Sequence, residues 1–187
     1  GLIVLPDGPA LDAAGREVFN VRTIMHHGQR VQLFCAAGGE EVLIYADRGE
    51  RGGDESWVGT TGVVAVDMQG RVIWERRDLT HHSGHRIGDG WPVRGAGSGD
   101  LYAAGEVGNW GGTRHRGVGD YFVYLLTPEG RLVQTLCEYD TGYNGKGYPY
   151  TGATGMGLDL DGDGQDELYV VTNDGTWSSY HRTLEGP

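Results

Sequence analysis

Two hairpins of one pattern, 60 residues apart from Gly70 to Gly130, set the main limit on what this chain can become. In the first, Val63-Val-Ala-Val-Asp67 runs through Asp-Met-Gln-Gly into Gly70-Arg-Val-Ile-Trp74. In the second, Tyr121-Phe-Val-Tyr-Leu-Leu126 runs through Thr-Pro-Glu-Gly into Gly130-Arg-Leu-Val-Gln134. A tight turn between two runs of β-branched and aromatic residues is a hairpin signal. A partial third copy, Gly15-Arg-Glu-Val-Phe-Asn-Val21, stands near the start of the chain. A second element alternates with the first. Ala37-Gly-Gly-Glu-Glu-Val-Leu-Ile-Tyr45, Gly97-Ser-Gly-Asp-Leu-Tyr-Ala-Ala104 and the stretch before Val171 each lead from a glycine and acid turn into an apolar strand.

Composition points the same way. There are 35 glycines in 187 residues, against a typical share of about 7%, and only 38% apolar residues. Many turns between short strands explain both figures, and the chain is short enough for one domain. The net charge of −11 argues against nucleic acid or an anionic membrane as partner. No apolar run approaches the length of a membrane-spanning helix, and no segment reads as a signal peptide. The chain opens on Gly1 without a methionine, as a processed product or a piece of something longer would. Cys35 and Cys137 both lie in apolar, strand-like runs, and their spacing does not decide between free thiols and a disulfide.

The most chemically specific stretch is Asp159-Leu-Asp-Gly-Asp-Gly-Gln-Asp-Glu167. Asp159, Asp161 and Asp163 would repel one another on an extended strand. A tight curl, which Gly162 and Gly164 permit, turns them toward one point. Calcium, a hard cation taking six to eight oxygens, resolves that repulsion best, with the Gln165 carbonyl and the Glu167 carboxylate completing the shell. Asp166 is left peripheral. An EF-hand would need a glutamate at the twelfth position, which is Val170 within an apolar strand, so the loop joins two strands.

This loop resembles the calcium loops of FG-GAP and VCBS repeats, which build β-propellers. The resemblance implies an all-β, propeller-like array of four-stranded blades. Repeats near 60 residues with two hairpins each suit such blades. The expected division is an outer hairpin over 1–24, blades over 25–78 and 79–138, and an incomplete calcium-loop blade over 139–187. About three blades are too few for a ring, so further blades from a longer chain, or association between copies, would complete it.

FG-GAP-type propellers occur in adhesion proteins and secreted glycan-associated proteins. The expected function is therefore an extracellular or secreted, calcium-stabilised module that binds a polysaccharide or protein partner or self-assembles; a periplasmic setting would serve as well. Trp91, Trp110 and Tyr143 are the candidate ligand-stacking residues. The alternative is a fragment of a secreted polysaccharide lyase, because the calcium loop is also similar to those of propeller-type rhamnogalacturonan lyases. A β-elimination on a uronate needs charge neutralisation, a base and an acid, and His82, His85, Arg86, Tyr148 and Tyr150 lie in the loops suited to supply them. The adjacent pairs His26-His27 and His81-His82 are poorly placed to chelate zinc, since neighbours on a strand face opposite ways.

Overall fold

The structure, a computed structural model, describes residues 1–50, 60–79, 86–94, 100–107, 120–139, 153–172 and 177–180. Among these residues every regular element is a β-strand except a 3-10 turn at Val21–Thr23. Sheet A comprises β1 (Ile3–Val4), β2 (Pro9–Leu11) and β3 (Glu17–Asn20). Sheet B comprises β4 (Gly28–Cys35), β5 (Glu41–Asp47), β6 (Gly62–Val66) and β7 (Val72–Arg76). Sheet C repeats that plan with β8 (Arg86–Val93), β9 (Leu101–Val107), β10 (Asp120–Leu126) and β11 (Leu132–Tyr139). Sheet D holds β12 (Ala153–Leu158), β13 (Glu167–Thr172) and β14 (Trp177–Tyr180). Strands follow chain order within each sheet and pair antiparallel, so each sheet is a meander.

The repeated Gly-Arg hairpins share one turn. The N–H of Asp12, Asp67 and Thr127 donates to the carbonyl of Arg16, Arg71 and Arg131, at 2.9 Å in each case. The glycine N–H donates back to the first residue, at 2.9, 3.0 and 2.9 Å. Gly15, Gly70 and Gly130 sit at φ 77°, 80° and 83°, where a Cβ is strained. The first side chain closes the turn: Asp12 and Asp67 each accept from two loop amides, and Thr127 Oγ1 accepts from Arg131 N. Each turn is followed by a one-residue register shift, the bulge that a left-handed glycine produces. The link between β4 and β5 has the same geometry, with Ala36 N on Glu40 O and Gly39 at φ 85°. The Ala37–Tyr45 stretch thus begins on a turn of the Gly-Arg type, tighter than the Asp159–Asp166 loop it resembles in sequence.

The apolar runs are long because the central strands are covered on both faces. Along β5, Leu43 and Tyr45 face sheet A; with Val64 and Val66 of β6 they meet Ala10, Phe19 and Val21. Their neighbours Val42, Ile44 and Ala46 face sheet C, with Val63 and Ala65 from sheet B and Tyr102, Ala104, Tyr124 and Leu126 opposite. Sheet C alternates in the same way: Leu101, Ala103, Val123 and Leu125 turn from sheet B toward Leu168 of sheet D. The sheets form an open stack in the order A, B, C, D. Each fully buried large apolar side chain contributes about 1.5–3 kcal/mol.

Aromatic side chains key one sheet to the next. Phe19 on β3 lies over Gly70 in the β6–β7 turn, and Trp74 on β7 lies over Gly130 in the β10–β11 turn, 2.6 Å from where a Cβ would stand. Trp74 Nε1 also donates to Pro128 O (2.8 Å), and Arg76 Nη1 donates to Gly130 O (3.0 Å). Phe19 and Trp74 each stand four residues after the glycine of their own turn. At the buried end of β5, Asp47 accepts from His27 N (2.9 Å), His26 N (3.3 Å), Gly49 N (3.0 Å) and Arg77 Nη1 (2.6 Å). Cys35 ends β4 as a free, exposed thiol, because Phe34 takes the inward place beside it. That differs from the buried position its apolar run suggests.

Candidate metal centre

The loop over 159–166 leaves β12 at Leu158 and enters β13 at Glu167, and those two residues are paired across the hairpin. Strands therefore flank it on both sides. Val170, the position an EF-hand would fill with glutamate, pairs with Gly155 inside the sheet.

Within the loop, the acids hold the backbone before any ion is considered. Asp159 Oδ1 accepts from Gly162 N (2.7 Å) and its Oδ2 from Gly164 N (3.0 Å). Asp161 Oδ1 accepts from Asp163 N (3.1 Å), and Asp163 Oδ1 from Gln165 N (2.8 Å). Gly162 at φ 81° and Gly164 at φ 89° supply the left-handed steps that let the chain curl around its acids. One oxygen from each of Asp159, Asp161 and Asp163 lies within 4.8 Å of the other two. Oxygens bound to one calcium at 2.3–2.6 Å can be no more than about 5 Å apart, so the spacing fits that ion. Each carboxylate has about four lone-pair sites, so the two amide bonds on Asp159 and the one on each of Asp161 and Asp163 leave all three able to bind a cation as well. Among the described residues this trio is the one such group of three or more potential ligands.

The two further expected ligands, Glu167 and Gln165, each take part in a hydrogen bond within the loop. Glu167 Oε2 accepts from Leu160 N (2.9 Å), tying the loop's second residue to its exit strand, and Glu167 is not part of the convergent trio. For Gln165, the amide N–H is engaged by Asp163.

Asp166 is the residue that sequence reasoning undervalued. It is 9% exposed, stands outside the trio and is bonded to Arg94 just beyond the end of β8. Arg94 Nε and Nη2 reach its Oδ1 at 3.0 and 2.9 Å, and Arg94 N donates to its Oδ2 at 2.8 Å. Asp166 N returns a bond to Arg94 O at 2.9 Å. No local pattern announces a partner 72 positions away. The one available hint is a second acid beside Glu167, immediately before an apolar strand.

Comparison with protein family models, curated proteins and solved structures finds no match to this chain. Its function must therefore be argued from its own residues.

Trp91 is not a surface stacking residue. It lies within β8 at 5% exposure, packed with Val93, Leu101 and Leu168 between sheets C and D, where its bulk fills the junction. His82, His85, Tyr148 and Tyr150, with Trp110 and Tyr143, lie outside the described residues, and of Arg86, the first residue of β8, only the backbone is described. Among the described residues, no helix is long and apolar enough to cross a membrane.

Proposed function

We propose that this chain is an extracellular, calcium-stabilised β-propeller module that binds a glycan or protein partner or assembles with copies of itself. The observation that carries this reading is the convergence of Asp159, Asp161 and Asp163 on one point of a strand-to-strand loop. Three carboxylates held that close repel one another, and a divalent cation removes the repulsion. A loop of this kind suits millimolar calcium, hence the extracellular setting.

The open stack supports the assembly side of the proposal. Gly15 is the counterpart of Gly70 and Gly130, yet a Cβ there would meet nothing within 4 Å. Sheet A also leaves Ile3 62% and Val18 40% exposed. A further blade, bringing an aromatic side chain to Gly15 as Phe19 is brought to Gly70, would cover that face.

The test is a calcium titration followed by heat and by thermal unfolding. At free calcium one hundred times Kd, mass action adds about 2.7 kcal/mol to stability. For a chain of this size that raises Tm by about 5–10 °C. Asp161→Ala is expected to abolish both the binding heat and the rise. A melt that chelator and calcium leave unchanged would rule out a structural metal. Native mass measured in calcium is expected to show multiples of 20.2 kDa; a strict monomer at high concentration would remove self-assembly and leave the binding module.

A further inference from the structure

The contact between Asp166 and Arg94 touches three things at once. Asp166 closes the metal loop, one residue before β13 begins. Leu168, two residues on, is buried against Trp91 and Val93 of β8. Arg94 directly follows Val93. The reciprocal pair of Asp166 N on Arg94 O and Arg94 N on Asp166 Oδ2 therefore stands between the loop acids and the apolar seam of sheets C and D.

The ion pair itself is a weak source of stability, because the Arg94 side chain is 57% exposed and water screens it. Its effect is positional. Asp166 is buried, and four bonds to Arg94, at the end of a strand of sheet C, fix where the loop ends. Displacing Asp166 moves the exit of a loop that is only eight residues long, 159–166. The carboxyl of Asp166, then those of Asp159 and Asp100, hold the Arg94 guanidinium more firmly protonated, so the loop's field reaches Arg94.

We propose that Arg94 and Asp166 are positioning residues for the metal loop, and that cation binding and the docking of sheet D on sheet C are thereby one coupled event. This rests on the calcium reading of the loop. Without a cation, repulsion among the acids works against the bonds that close the loop, and so against the seat of Asp166 on Arg94. With a divalent cation bound, the loop closes, Asp166 is held on Arg94, and Leu168 stays seated on Trp91. Linkage makes the effect reciprocal: whatever fixes Asp166 on Arg94 must tighten cation binding by the same factor.

The sign of one substitution separates this from simple electrostatics. Arg94→Gln removes a positive charge close to a cation site, so Coulomb's law alone predicts tighter calcium binding. The positional role predicts weaker binding. By the usual cost of losing a group that orients metal ligands, Kd should rise about tenfold. Arg94→Lys, which restores a donor for Asp166 Oδ1, should recover most of the loss.

The experiment is calcium titration calorimetry on the wild type, Arg94→Gln and Arg94→Lys, with amide exchange of the wild type measured with and without calcium. Calcium should slow exchange of the Asp166 and Arg94 amides, a change that a purely structural contact would not show. If the wild type binds calcium while Arg94→Gln binds it equally or more tightly, this coupling falls and the calcium reading stands. Exchange at both amides that is indifferent to calcium in a binding-competent wild type also overturns the coupling. If the wild type produces no calcium heat at all, the metal reading itself falls and takes the coupling with it.

Discussion

Replacing Asp47 by alanine is expected to destabilise the protein by about 3–5 kcal/mol, the usual cost of removing one partner of a buried charge pair. Asp47 is fully buried, and four donors converge on it. Arg77 would be left 19% exposed without its carboxylate, although Glu75 Oε2 and Thr60 O would still accept from it. The amides of His26, His27 and Gly49 would lose their acceptor together. Thermal unfolding should show Tm falling by about 6–20 °C. Asp47→Asn keeps the shape but turns one oxygen into a donor, so it should fall between alanine and wild type. Adding Arg77→Leu to Asp47→Ala should cost less than the two single changes summed, because the stranded charge goes too. A full sum would mean that the pair is not energetically coupled.

The same carboxylate ties stability to pH. Burial alone would push Asp47 up; the His27 and Gly49 amides and the Arg77 guanidinium outweigh it and hold its pKa below the ordinary 3.8. Asp78, bonded to Arg76, and Glu129, bonded to the Ala37 amide, are lowered as well. A group whose folded pKa is depressed stabilises the fold above its unfolded pKa and loses that contribution as pH falls through the folded value. Acid unfolding should therefore set in below about pH 4. Asp47→Asn should flatten that limb of the curve.

The sequence reveals local features best. The Gly-Arg hairpins were legible because a left-handed glycine is needed at one fixed place in each turn, and Gly70 and Gly130 occupy it. The apolar runs of β5, β6, β9 and β10 read as strands, while the cover on both their faces shows only in the packing of the sheets. The curl of the acidic loop was legible for the same reason, since Asp159, Asp161 and Asp163 make their bonds within five residues of themselves. Contacts between sheets left no such trace. Trp91, flanked by Gly90 and Pro92, looks in sequence like a loop aromatic, but its place in β8 puts it against Leu168. The first strand of sheet A, only Ile3–Val4, is too short to show a period and forms because Ala10 and Leu11 offer it a register. Asp47 and Asp166 look like interchangeable surface acids until Arg77 and Arg94 arrive from 30 and 72 positions away.

The repeat itself supplies the second large effect, with an internal control. Gly130→Ala should cost about 2–5 kcal/mol, from two sources that add. A Cβ at φ 83° is strained by about 1–2 kcal/mol. It would also stand 2.6 Å from Trp74 Cδ2, and overpacking of that kind costs about 1–3 kcal/mol more. Trp74 cannot swing away freely, because its indole N–H is bonded to Pro128 O in the same turn. Gly15→Ala places the same methyl at φ 77° in a turn of the same design, but with nothing within 4 Å. It isolates the backbone term and should cost only about 1–2 kcal/mol in dilute, dissociated protein. The difference between the two variants, read by chemical unfolding, measures the aromatic key between sheets B and C. Equal losses would mean that Trp74 yields without cost and that the junction is held by its apolar strands alone. Under conditions where copies associate, the Gly15→Ala loss should rise toward that of Gly130→Ala if an incoming blade seats its aromatic over Gly15.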